Sequence, residues 1–205
     1  MVPYELVRRV VLGTQDQAEK KIRFMALLTA GLPKGGPKPV LAGGSAIEVY
    51  MWGTLRTGDM DVVYDIKSLE RLLRRWKFER VFRSWANEEL GLSVDPVGTP
   101  LEGSYDRVTT IVTPSGPAAV IGREDLMLKR LASAKRWKYP SDMEQAYLLA
   151  RAYGDKLDWK YIEEAAERGG TSDHLAKLKR MLKGRTGQDR GRRRPVSARR
   201  KGRIA

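Results

Sequence analysis

The segment VLAGGSAIEVYMWGTLRTGDMDVVYD, residues 40–65, is the strongest constraint this chain places on its own fold. A short apolar run closes on two glycines and a serine. After a second apolar run, aspartates occupy alternate positions, Asp59 and Asp61, at the head of a third. Short apolar runs bounded by turn residues read as buried strands, and glycines opening an apolar run read as a strand-to-helix turn. The expected order is a strand at 40–42, a helix at 45–52 and a strand carrying both aspartates. In a strand, residues i and i+2 project from one face about 6.6 Å apart, so Asp59 and Asp61 point the same way while Met60 and Val62 pack behind them. A carboxylate buried there alone is costly; it neutralises, pairs with a base or holds a cation.

Two carboxylates on one face repel each other and invite a divalent ion. Mg²⁺ takes one or two carboxylates and completes its shell with phosphate oxygens and water. Gly43, Gly44 and Ser45 sit where the free N–H groups and dipole of a helix start favour phosphate. Glycine lets a phosphate approach the backbone, and the Ser45 hydroxyl adds a donor. A triphosphate held by the turn and bridged by metal to the aspartates follows from this pairing of motifs.

The remaining chain supports an α/β (α+β) layout on a small mixed sheet. Apolar spacing predicts one or two helices over 3–30, and GLPKGGPKP is a loop. IKSLERLLRRW is a helix with Leu69, Leu72 and Leu73 inward, while LGLSVDPVG and DRVTTIVTP are strands. From Gly122 the pattern is helical: REDLMLKRLASAKRW, then DMEQAYLLARAYG behind a Ser141–Glu144 capping box, then two further helices ending at glycine. The expected domains are a core at 1–116, a helical domain at 117–183 and a basic disordered tail at 184–205. Trp52, Trp76, Trp85, Trp137 and Trp159 are assigned to packing rather than base stacking, and His174 to the surface.

The absence of Cys excludes disulfides, thiolate metal sites and thiol nucleophiles, and a single His excludes paired-imidazole chemistry. No apolar run approaches the roughly 18 residues of a membrane span, and the start lacks a signal-peptide cleavage site, so a cytoplasmic protein without membrane contact is expected. The net charge of +14 is unevenly placed: residues 183–205 hold ten Lys/Arg against Asp189, or +9, leaving 14 − 9 = +5 elsewhere. A Gly/Arg/Ser/Pro tail of this kind suits contact with a phosphate backbone.

The residues Gly44, Ser45, Asp59 and Asp61 resemble the signature of the nucleotidyltransferase superfamily related to DNA polymerase beta. RTGDMD resembles the R-x-T-x-D-x-D form of small prokaryotic members, with Arg56 and Thr57 adjacent here rather than separated. EDLMLKRLASAKRWKYPSD resembles the helical half of the abortive-infection (AbiEii) type toxins, which carry a helix lysine and an aspartate about a dozen residues on; Lys129 and Asp142 match that spacing. The resemblance covers 40–153.

It implies NMP transfer from an NTP to an acceptor hydroxyl with two Mg²⁺ ions, or Mn²⁺, as cofactor. Asp59 and Asp61 would hold the metals with a third carboxylate. Asp95, inside an apolar strand and before a backbone-restricting proline, is favoured over Asp106. Gly43, Gly44, Ser45, Arg56, Thr57 and Lys129 would bind the nucleotide, and Asp142 would orient Lys129 or accept a proton. The acceptor implied is a tRNA or other RNA end, a protein side chain or a small molecule such as an aminoglycoside. The role implied is toxin to a cognate antitoxin. A module that keeps the fold and only binds RNA or a protein is the alternative.

Overall fold

A computed structural model describes residues 2–33, 35–52 and 55–189. Helix α1 (Tyr4–Leu12) turns all its buried residues, Val7 and Val11, to one side, and α2 (Gln17–Gly31) starts where the Asp16 carboxylate accepts from the Glu19 amide at 2.8 Å. Strand β1 (Val40–Ala42) leads into α3 (Gly43–Tyr50), then β2 (Met60–Val63) and α4 (Ile66–Arg75), which buries Leu69, Leu72 and Leu73 as expected. Next come β3 (Glu79–Val81), β4 (Ser84–Asn87) and β5 (Leu92–Pro96), a 3₁₀ turn (Tyr105–Arg107), β6 (Thr109–Thr113) and β7 (Gly116–Val120). Helices α5 (Arg123–Trp137), α6 (Pro140–Tyr153), α7 (Trp159–Arg168) and α8 (Ser172–Asp189) complete the described chain.

The strands form one mixed sheet in the order β3-β4-β5-β2-β1-β7-β6. β2 runs antiparallel to β1 and parallel to β5. The register pairs Met60 with Val94 and Val94 with Trp85, so these three buried side chains share the face that α4 covers. Arg74 lies over the Trp85 ring at 5.1 Å, and the Trp85 indole donates to Glu70 at 3.3 Å. On the same side Phe24 of α2 meets Trp76 edge-on, with ring centroids 5.8 Å apart. Alternation then forces Asp61 and Asp95 onto the opposite face.

The helical half docks through tyrosines. Tyr50 donates to the Ile121 carbonyl at 2.7 Å, Tyr153 to the Tyr50 carbonyl at 2.6 Å, and the Arg123 guanidinium stacks on both rings. Burial pushes the Tyr50 hydroxyl up to about 12. Asp125, also buried, accepts from Tyr161 and from the Ser104 amide.

Several expectations change. FERVFRS and GPAAV, given no element from their sequence, contribute to the β3–β4 hairpin and form β7, so the sheet extends past the expected core boundary at 116, while α5 starts at Arg123 as its pattern predicts. The Ser141–Glu144 capping box is not formed: α6 opens two residues earlier, with Pro140 as its first residue and Tyr139 at the cap. Helix α8 continues beyond Gly184 to Asp189, and the rest of the expected tail, 190–205, lies outside the described residues. Trp76 and Trp85 are core residues, but Trp52 and Trp137 are 59% and 62% exposed. No helix among the described residues is long and apolar enough to cross a membrane.

Candidate active site

The two strands that meet at the sheet centre bring Asp61 and Asp95 together. They stand in register on parallel neighbours, β2 and β5, facing away from α4. Asp95 is buried and Asp61 half-buried, so each charge is felt by the other through little water. The Asp61 carboxyl is raised above its ordinary range by burial first and by the Asp95 charge second, with Asp59 adding to the effect and Arg130 and Arg83 opposing it. Asp59 lies one residue before β2 and is exposed at the mouth of this pair. Asp106, the competing candidate, is exposed in the 3₁₀ turn after β5.

The glycines serve the carboxylate directly. Gly43 has φ +61, and a Cβ on it would lie 1.6 Å from Asp61 Oδ2; a Cβ on Gly44 would lie 2.8 Å from the Thr57 methyl. Both positions admit a side chain of the chain itself. Ala42 at the cap of α3 supplies no side-chain acceptor, and the Asp61 carboxylate lies beside that helix start. An anion there is stabilised by the helix dipole.

Ser45 and Thr57 take a different role from the expected one. The Ser45 hydroxyl is fully buried and donates to the Asp59 carbonyl at 2.8 Å. The Thr57 hydroxyl donates to Glu48 at 2.8 Å and lies 2.9 Å from the Ser45 oxygen. Both are spent on internal partners and hold the backbone around Asp59. Arg56 remains exposed beside them.

Asp142 is also reassigned. It is buried, and it accepts from Arg130 Nη1 at 3.1 Å and from Ser133 at 2.6 Å. Lys129 instead donates to Glu102 at 2.8 Å, and holds that carboxyl below its usual range. One residue of helix separates the two roles: Asp142 holds Arg130, whose charge acts on Asp61, whereas Lys129 lines a neighbouring groove of about 420 Å³ with Glu102, Ala132, Ser133, Arg136 and Trp137.

Four residues escaped sequence reasoning: Lys21, Glu48, Arg83 and Arg130. Arg83, at the tip of the β3–β4 hairpin, pairs with Asp95 at 3.1 Å while 83% exposed. Lys21 and Glu48 form a buried ion pair at 2.7 Å. A glutamate within the apolar helix SAIEVY was the available signal for the last pair.

No family model matches the chain, and no curated protein matches it. Solved structures do. The chain is 14% identical to an antigenic nucleotidyltransferase-like protein from Paracoccidioides brasiliensis, with a TM-score of 0.50 over 80% of this chain and 92% of that one. It is 14% identical to the antibiotic-resistance factor ANT(2'')-Ia in solution, with a TM-score of 0.48 over 85% and 100% of the two chains. A crystal structure of ANT(2'')-Ia with adenylyl-2''-tobramycin gives 14%, 0.42, 79% and 95%. The likeness to the Paracoccidioides protein shows that the α/β architecture around Asp61 and Asp95 is a nucleotidyltransferase-like fold.

Proposed function

We propose that the protein transfers an NMP group from an NTP to an acceptor hydroxyl. The observation that carries this reading is the in-register pair Asp61 and Asp95, with Asp59 at its mouth. This donor set fits Mg²⁺. Its oxygens are hard, burial makes the paired charges costly when ionised together, and a cation relieves that cost. Among the described residues no group of three or more His, Cys, Asp or Glu is arranged to hold a metal ion, so in this reading the pair Asp61 and Asp95 receives the ion first and Asp59 turns in as it binds. Asp59, Asp61 and Asp95 would hold it, and its chemistry would be to neutralise charge on the attacking and leaving oxygens.

The chain's own residues then divide the work. The acceptor oxygen attacks the α-phosphorus, the bond to the β-phosphate bridging oxygen breaks, and pyrophosphate leaves. Asp95 orients the acceptor hydroxyl, whose proton passes to solvent or to that carboxylate. Arg130, held by Asp142, which in turn accepts from Ser133, and the exposed Arg56 supply positive charge to the phosphates, with Lys129 at the groove wall. The +9 of residues 183–205 supports an RNA acceptor, through phosphate contacts that add affinity without reading sequence.

The test is incubation with each labelled NTP, Mg²⁺ and total tRNA, with Asp61→Asn as control. Label on RNA with wild type alone supports the full reading. Label on protein or on an added aminoglycoside keeps the chemistry and moves the acceptor. No label with any acceptor favours a binding module.

A further inference from the structure

The buried pair Lys21–Glu48 lies outside the chemistry described above, yet four of its five hydrogen bonds to other residues end on Thr57, in the segment that carries Asp59, and the fifth on Ser45. The Lys21 ammonium, 4% exposed, donates to Glu48 Oε2 at 2.7 Å and the Thr57 carbonyl at 2.6 Å. It also reaches the Thr57 hydroxyl at 3.0 Å and the Ser45 hydroxyl at 3.2 Å. Four partners compete for three N–H groups, so the cation is saturated. The same Glu48 oxygen accepts from the Thr57 amide at 3.0 Å and the Thr57 hydroxyl at 2.8 Å. Both main-chain groups of Thr57 are thus held by one ion pair. Ser45, which touches that pair, donates its only hydrogen to the Asp59 carbonyl.

A buried ion pair costs desolvation that well-packed apolar residues of similar volume would avoid, so stability alone is a weak reason to keep it. Its geometry serves a different end. Residues 56–59 leave the sheet as a turn with an exposed Arg56, Gly58 and Asp59, and have little apolar contact to hold them. Backbone carbonyls and an amide in that turn need partners, and α2 and α3 supply them from below.

We infer that Lys21 and Glu48 are positioning residues that hold the Arg56–Asp59 turn and so set where the Asp59 carboxylate meets a divalent cation. The metal half of this role rests on the carboxylates being the metal site proposed above; the holding of the turn does not. Lys21 comes from α2 and Glu48 from α3, so α2 takes part in the site through the turn it holds.

The test uses the full chain and Lys21→Met/Glu48→Gln, which removes both charges while leaving an acceptor for the Thr57 amide. Amide hydrogen exchange of residues 57–61 reads the turn, and Mn²⁺ alone, titrated by electron paramagnetic resonance, reads the carboxylates. Exchange at 57–61 should accelerate while Leu41 and Val120 stay protected, and Mn²⁺ affinity should fall about tenfold or more. Ser45→Ala, a smaller change, should move both readouts the same way if the double variant does not fold. Unchanged protection at 57–61 in the folded variant, or loss spread equally over the sheet, overturns the positioning role. Wild-type Mn²⁺ affinity no better than that of Asp61→Asn overturns the metal reading instead, and the exchange data still decide whether the pair holds the turn.

Discussion

The carboxylate of Asp61 occupies the space in which a Gly43 side chain would lie, with Oδ2 only 1.6 Å from where a Cβ would stand. Gly43 also has a left-handed φ of +61, so an alanine there meets strain and collision together. Gly43→Ala should lower stability by about 1–3 kcal/mol and abolish Mn²⁺ binding by displacing Asp61. Gly58→Ala, with open space around it, should change stability by less than about 0.5 kcal/mol. Thermal unfolding and Mn²⁺ titration of both variants check this, and equal effects would rule out the steric account.

The raised Asp61 carboxyl makes stability depend on pH with a definite sign. Its folded form holds the proton more tightly than the unfolded chain does. The stability it contributes is therefore full below the ordinary aspartate range near pH 4 and is lost as pH rises through the raised folded value. Without metal, Asp61→Asn should be more stable than wild type at pH 7, and the gap should close on acidification. Saturating Mg²⁺ should reverse the order at pH 7. A metal-free Asn variant less stable than wild type at pH 7 would contradict the burial and repulsion assigned to Asp61.

Asp95 and Asp106 separate cleanly. Asp95→Asn should leave the fold intact and lose nucleotidyl transfer at least a hundredfold, because its carboxylate is in register with Asp61. Asp106→Asn, exposed on a 3₁₀ turn, should be silent within about twofold, a surface change worth under about 0.5 kcal/mol. Single-turnover assays with labelled NTP decide it, and the reverse pattern would relocate the site.

Arg130 and Lys129 test which cation serves the carboxylates. Arg130→Met leaves Asp142 buried with Ser133 as its remaining described hydrogen-bond donor, at a cost of about 3 kcal/mol; adding Asp142→Asn should recover most of it. Lys129→Met breaks a pair with the exposed Glu102 and should cost under about 1 kcal/mol. Transfer should suffer more from the doubly substituted Arg130 variant than from Lys129→Met, in kcat/KM measured on protein verified as folded. An unaffected Arg130 variant would return the role to Lys129.

Much of this molecule was legible in one dimension. Apolar periods placed α4, α5, β1 and β5, because burial of a stripe or a face depends on spacing within a single element. β3 and β7 were missed for the complementary reason. ERV is exposed throughout and GPAAV carries Gly and Pro, so only pairing with β4, β1 and β6 makes them strands. The charges inside DMDVVYD and LSVDPVG stood out as ones a strand would not carry for packing alone, but only Asp61 and Asp95 lie in strands; Asp59, expected in β2, lies one residue before it and is exposed.

What only the tertiary structure decided is which charge answers which. Lys129 and Arg130 are neighbours in the chain, yet about 100° of helix rotation sends one to Glu102 and the other to Asp142. Lys21 and Glu48 lie 27 positions apart, and neither has a spacing that names the other. The glycines, read as room for a phosphate, make room for Asp61 and Thr57. Periodicity is a local property that the sequence by itself determines. Pairing of charges depends on through-space distance and on the water excluded around them, and these exist only once the helices have closed over the sheet.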